Sequence, residues 1–322
     1  RLAGERKARK WNARIYDGFP IRNWDRWIDE RKARLLVLEL DPYGVPVGEP
    51  RELLRGTKLV ALPGFAGRVG DSGETLEAVW TADGAGLVFV ASTDRSTAAY
   101  RFTSTQLWWV SASGGEPRRL TSAPDSWAQP TFTADGRQLL AALERSTGKA
   151  YVKTELVALE WRSPAALAAD AEITLKVTPL TRQLDRSVTS FAPTADSRQV
   201  YFLAEEAGHE KLFVTSIRDG ATRLVFDMSI GAYTNVTIAE RSRSLVLLAT
   251  FESPTRPPQV VRIDPSKAAH TTLASFDDER LAKLDLEPLR HFWFTSSKGR
   301  RIHNMLLTPP GFDPSKKYPL FV

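Results

Sequence analysis

The chain has no cysteine, which removes disulfide frameworks and thiolate metal sites from consideration at once. Histidine is scarce: only four are present, at His209, His270, His291 and His303. None shares a local motif with a candidate serine and acid, so a complete catalytic triad is not expected within these residues. No Gly-x-Ser-x-Gly pentapeptide occurs, and with it goes the strand–turn–helix elbow that exposes a hydrolase nucleophile. The His-Glu-x-x-His spacing of a zinc hydrolase and the glycine-rich phosphate loop are also missing. No metal or cofactor is therefore expected. No run of about 18 apolar residues is present, so no membrane-spanning helix is predicted. What remains is 42% apolar and 25% charged, a composition that suits a folded globular chain. At 322 residues it exceeds an average domain, although propellers and barrels of this length often form a single one.

The formal charge of +6 is unevenly placed. Residues 1–34 carry eleven Lys or Arg against five Asp or Glu, which accounts for the whole excess. A basic head on a neutral body suggests a nucleic-acid arm as one alternative. No recognition motif accompanies the charges, so the expected role is a solvated, helix-like segment docking on an acidic surface of its own protein. Neither nucleic acid nor a membrane is expected as a partner. The chain opens on Arg1 rather than Met, so a trimmed N-terminus and an already absent signal peptide are expected.

Self-similarity organises the rest. Ala78 to Ala91, built around Asp83-Gly84, matches Pro130 to Ala142 around Asp135-Gly136 and Phe191 to Ala204 around Asp196-Ser197. A fainter fourth copy runs from Val236 to Ala249. Each reads as a short strand, an Asp-Gly-like turn and an apolar strand, which is hairpin chemistry. Each is followed by a second hairpin, as in Gln106 to Thr121, Lys211 to Phe226 and Gln259 to Phe276. Two hairpins per repeat predict a four-stranded antiparallel blade, and the repeats together predict an all-β fold, a β-propeller. The blades fall at roughly 60–121, 127–181, 188–226 and 232–276. Arg34 to Leu40 and Pro50 to Arg55 read as the outer half of a further blade. Since an open arc exposes long sheet faces, further polypeptide is expected to complete the ring. Helical periodicity is confined to residues 3–14 and to Pro164–Ala171.

The most informative stretch is the last. Phe292 to Phe294 reads as a strand, Ser297-Lys298-Gly299 as a turn and Ile302 to Leu307 as a second strand. Pro309-Pro310-Gly311-Phe312-Asp313-Pro314-Ser315-Lys316-Lys317-Tyr318-Pro319 follows. This text resembles the entry to the α/β-hydrolase domain in the prolyl oligopeptidase (S9) family of serine peptidases. The resemblance implies three parts: a basic N-terminal segment at 1–33, propeller blades at 34–283 and the start of the hydrolase domain at 284–322. It implies that the catalytic Ser, Asp and His lie beyond this chain. The chain would be the gating, substrate-selecting propeller of an enzyme that hydrolyses short peptides, releasing N-terminal dipeptides or blocked residues. Implied partners are a peptide substrate and the hydrolase domain, supplied in the same or a separate chain, with homo-oligomers allowed. Implied location is the periplasm or outside the cell, with the cytoplasm as the alternative. The fragment alone is expected to be inactive. A stand-alone binding propeller of the TolB or WD40 kind explains the repeats equally well but leaves the tail unexplained.

Two places are candidate substrate contacts. Arg22-Asn23-Trp24-Asp25-Arg26-Trp27 resembles an Arg-His-Trp-Asp-x-Trp segment of S9 peptidases close to dipeptidyl peptidase V, with Asn23 in place of the histidine. Two indoles flanking a carboxylate would form a small lining with an anionic anchor for a peptide's α-ammonium. The alternative is a structural corner in which Asp25 pairs with Arg22 or Arg26. Glu205-Glu206 is the one paired-carboxylate site; certain dipeptidyl peptidases hold the substrate amine with a glutamate pair. The alternative is a solvated turn. Gly70-Asp71-Ser72-Gly73 is expected to be a polar loop, since neither the strand nor the helix of a nucleophile elbow flanks it.

Overall fold

A computed structural model describes residues 2–10, 13, 15–16, 18–23, 25–28, 31–70, 73–149, 151–166, 173, 175–225, 227, 230–239 and 244–321. The chain forms two compact units, residues 1–130 with 163–174 and residues 131–162 with 175–322.

Four four-stranded antiparallel sheets appear where the repeats predict blades. The first comprises Ala78–Trp80, Gly86–Ala91, Gln106–Ser111 and Arg118–Arg119. The second comprises Ser126–Phe132, Gln138–Glu144, Thr154–Glu160 and Val177–Pro179. Val188–Pro193, Gln199–Glu206, His209–Ser216 and Thr222–Leu224 form the third. Ala232–Ile238, Leu247–Ser253, Arg256–Asp264 and Ala269–Ala274 form the fourth. In every blade each strand pairs with its sequence neighbour, the arrangement that consecutive hairpins impose.

The repeated turn has one chemistry. Thr81, Thr133 and Thr194 donate their hydroxyl protons to Asp83, Asp135 and Asp196 at 2.5, 2.6 and 2.6 Å. Each carboxylate also accepts the backbone N–H two residues on, at 3.0 to 3.1 Å. This is an Asx-type turn, in which the side chain substitutes for a backbone acceptor. The residue after each aspartate takes the left-handed region: Gly84 and Gly136 at φ 67 and Ser197 at φ 57.

Burial concentrates in the two central strands of each blade. Gly86–Ala91 is buried throughout, and so are the middles of Gln138–Glu144, Thr154–Glu160 and Gln199–Glu206. A central strand has a partner on both edges, so all its polar backbone groups are satisfied and its side chains can be apolar on both faces. In the second unit, Tyr201, Leu203, Leu212 and Val214 of the third blade pack on Tyr233, Leu247, Val261 and Ile263 of the fourth. Each fully buried aliphatic side chain in such a core contributes about 1.5–3 kcal/mol.

In the first unit, Leu36–Leu40 pairs with Pro46–Glu52 as a two-stranded ribbon, so the predicted second strand begins earlier than Pro50. Leu53, Leu54 and Leu59 continue from it into a core with Phe65, Leu87 and Phe89. The N-terminal helix is shorter than its predicted 3–14: it runs Leu2–Ala8. Lys10 adopts φ 57, a left-handed conformation that stops helical hydrogen bonding. A 3-10 turn covers Pro164–Ala166, and the remainder of that predicted segment lies outside the described residues. Asp71 and Ser72 also lie outside them; the flanking Arg68–Gly70 and Gly73–Thr75 pair as a hairpin. No helix among the described residues is long and apolar enough to cross a membrane.

The last element is a hairpin, Arg290–Thr295 paired with Arg301–Leu306. Its Phe292, Trp293 and Phe294 are nearly half exposed.

Candidate functional site

The sequence candidates are divided between the two units. Asn23 and Asp25 lie in the first, at a two-residue ribbon where Asn23 pairs with Arg26 and Arg22 with Trp27. Both are exposed; Trp24 lies outside the described residues. The nearby Trp27 ring stacks on Tyr16 with centroids 6.2 Å apart.

Glu205 and Glu206 lie in the second unit, at the end of the third blade. They close the strand Gln199–Glu206, which turns back through Ala207 and Gly208 into His209–Ser216. Ala207 and Gly208 have φ of 53 and 76, the pair of positive values that a type I′ hairpin turn requires. The register sets Glu205 opposite Glu210 and Glu206 opposite His209. The two acids have different surroundings. Glu206 receives Arg186 at 3.3 Å and Lys211 at 3.1 Å. Lys211 is itself buried and reaches Asp227 at 2.6 Å. Glu205 is exposed and faces Glu210. Burial pushes the Glu210 carboxyl up, the Thr189 hydroxyl bonded to it pulls it down, and the Glu205 charge adds to the rise. Consecutive strand residues point to opposite faces, so Glu205 shares a face with Glu210 while Glu206, held by its two cations, lies on the other.

A feature with no signal in local sequence lies next to this turn. His209, His291 and His303 come together although they belong to a blade and to both strands of the terminal hairpin. The His209 and His291 ring centroids are 4.6 Å apart. Nδ1 of His291 lies 3.1 Å from Nε2 of His303. The Trp293 ring lies tilted against His303 with centroids 4.8 Å apart, and the Arg301 guanidinium sits over the Trp293 ring at 4.9 Å. Burial, with His209 and His303 beside it, holds His291 below the ordinary imidazole value. Gly208 is the hinge of this contact. A β-carbon there would lie 2.9 Å from Met305 Sδ and 3.4 Å from the His303 ring, so the methionine would have to shift, and the φ of 76 is one that glycine adopts without strain. Strand alternation already places His291 with Trp293, and His303 with Met305, on common faces. Their meeting with His209 depends on tertiary packing.

The partners of the four imidazoles are a backbone carbonyl, a phenol and one another. His209 Nδ1 is 3.1 Å from the Gly231 oxygen, and His270 Nδ1 is 2.6 Å from the Tyr233 hydroxyl. Among the described residues no serine hydroxyl is bonded to any of them, so no Ser–His pair of the acyl-transfer kind forms. Among the same residues, no group of three or more His, Cys, Asp or Glu is placed to hold a metal ion.

No family model matches the chain. It is 24% identical over 321 residues to dipeptidyl-peptidase 5 of Schizosaccharomyces pombe, covering 97% of this chain and 43% of the relative. It is 21% identical to dipeptidyl-peptidase 5 of Porphyromonas gingivalis, covering 96% and 42%. Among solved structures, an acylaminoacyl peptidase in complex with Z-Gly-Gly-Phe-chloromethyl ketone superposes with a TM-score of 0.61 at 17% identity, covering 96% of this chain and 41% of that one. The chain thus spans about two fifths of the length of the proteins it matches.

Proposed function

We propose that the chain is the propeller portion of a prolyl oligopeptidase (S9) family peptidase and that it selects and admits substrates for that enzyme's hydrolase domain. The enzyme so formed would hydrolyse short peptides near their amino ends through a serine acyl-enzyme. One observation carries the reading: nearly the whole chain aligns with about two fifths of dipeptidyl-peptidase 5, and the blades are followed by an exposed apolar hairpin at 290–306. On this reading the hairpin begins the hydrolase sheet, and the rest of that domain covers Phe292, Trp293 and Phe294. Glu205 and Glu206, with Asn23, Trp24 and Asp25, are the proposed contacts for the substrate's amino end. The blades act sterically, admitting short or unfolded chains and excluding folded ones.

The test compares two proteins, residues 1–322 and the same chain extended through its following sequence. A serine-reactive fluorophosphonate should label the extended protein and leave residues 1–322 unlabelled, and only the extended protein should cleave a dipeptidyl chromogenic substrate. Labelling of a serine within 1–322 overturns the assignment.

A further inference from the structure

The second unit contains a cleft of about 320 Å³ at the base of the terminal hairpin. Ile230, Pro254 and Leu289 supply apolar walls, and Glu252, His209 and His291 supply the polar groups. A volume of this order lies at the small end of the range for ligand pockets.

The charge of the lining is unbalanced. Glu252 is the one formally charged side chain among the described lining residues, and no ion pair to it forms among the described residues. Two acids nearby have polar partners: Glu206 is held by Arg186 and Lys211, and Glu210 by the Thr189 hydroxyl. Among the described residues the imidazoles bond to partners other than Glu252. His291 is held below its ordinary value by burial and by its two histidine neighbours, so it is neutral at pH 7. His209 donates Nδ1–H to the Gly231 oxygen at 3.1 Å, because a carbonyl only accepts. The cleft therefore presents a carboxylate between apolar walls.

The complement of that lining is a compact cation rich in N–H donors and attached to an apolar body. A quaternary ammonium has no N–H to donate to the carboxylate, and an anion is repelled by Glu252. We propose that this cleft binds a primary ammonium group carried on a small apolar body, with Glu252 as its counter-ion. A free alkylamine and a peptide amino terminus share this chemistry. The assignment goes beyond the peptidase reading and does not rest on it, since binding here needs no catalytic serine.

The experiment is calorimetric titration of the full chain at about pH 7.5, where a primary amine is charged. The probes are phenethylammonium chloride, the neutral 2-phenylethanol of similar shape, Ala-Leu amide and N-acetyl-Ala-Leu amide. Saturable binding of phenethylammonium is expected, weakened about tenfold or more in Glu252→Gln, as for loss of a charge-assisted hydrogen bond. Ala-Leu amide binding in the same Glu252-dependent way identifies an amino terminus as the ligand; its failure beside a bound alkylamine identifies free amines. Each of these outcomes supports the site. No saturable binding of either amine overturns it. So does equal affinity for phenethylammonium and 2-phenylethanol, a comparison that holds on the unmodified protein even where Glu252→Gln fails to fold.

Discussion

The Ser197 hydroxyl accepts a hydrogen bond from the backbone N–H of Asp135 at 3.0 Å, tying the repeat turn of the second blade to that of the third. Ser197 stands where the two preceding repeats carry Gly84 and Gly136, and like them it has a positive φ. A serine in that region carries strain that glycine avoids, of about 1–2 kcal/mol. The inter-turn bond recovers part of it. Ser197→Ala keeps the strain and loses the bond, so it should lower stability by about 0.5–1.5 kcal/mol. Ser197→Gly loses the same bond but relieves the strain and should be more stable than the alanine variant by about 1 kcal/mol. Urea denaturation of the two variants beside the parent measures both differences; an alanine variant as stable as the glycine one contradicts this account.

The aspartates of these turns give acid sensitivity with a defined sign. The Thr133 hydroxyl holds the Asp135 carboxyl below its ordinary value; burial opposes this, and the Arg137 N–H and charge and Ser197 add to the lowering. A carboxyl lowered in the folded state contributes stability that is present above the unfolded value, about 3.9, and is lost as pH falls through the folded one. Asp135→Asn should therefore be less stable than the parent at pH 7, by no more than about 1 kcal/mol because the site is solvent-screened. The deficit should shrink as pH is lowered to about 3. Thermal melts of the pair across that range test this, and a constant or growing gap would refute it.

Tyr233 and His270 form the third testable unit. Tyr233 is fully buried, and burial pushes its phenol well above the ordinary value while pushing His270 below the imidazole one. Both are neutral at pH 7, so the phenol donates to Nδ1 across 2.6 Å. Tyr233→Phe should cost about 1–2 kcal/mol at pH 7.5. A histidine lowered on folding makes the folded state lose stability as pH falls from the unfolded value, about 6.5, towards the folded one. Protonated Nδ1 cannot accept from the phenol, so the difference between parent and variant should narrow at pH 5. Equilibrium unfolding at the two pH values decides the matter: an unchanged difference means that the bond is not coupled to His270 ionisation.

Much of the architecture was legible because its determinants are local. A Thr-x-Asp turn followed by Gly or Ser, flanked by apolar strands, specifies a hairpin within a dozen or so residues, and the first three blades lie where those turns put them. The terminal hairpin was readable for the same reason, from Ser297-Lys298-Gly299 between two alternating strands. The N-terminal helix was over-extended because amphipathic periodicity carries no information about where a single residue, Lys10, leaves the right-handed region. Glu205 and Glu206 were visible as a pair. That Arg186 and Lys211 bind one member and Glu210 faces the other was not, because Arg186 approaches from a different segment and the facing of Glu210 depends on strand register.

The sequence alone determined the repeat, its turn chemistry and the hairpin that follows the blades, since each depends on dihedral preferences and hydrogen bonds among residues close along the chain. Tertiary structure alone decided that His209 would meet His291 and His303, that Glu252 would line a cleft with no ion pair among the described residues, and that Ser197 would bond Asp135. Those contacts join residues far apart in the chain. They form only when whole blades and the hairpin pack, driven by burial of apolar side chains, which favours close contact but does not encode which polar groups it brings along.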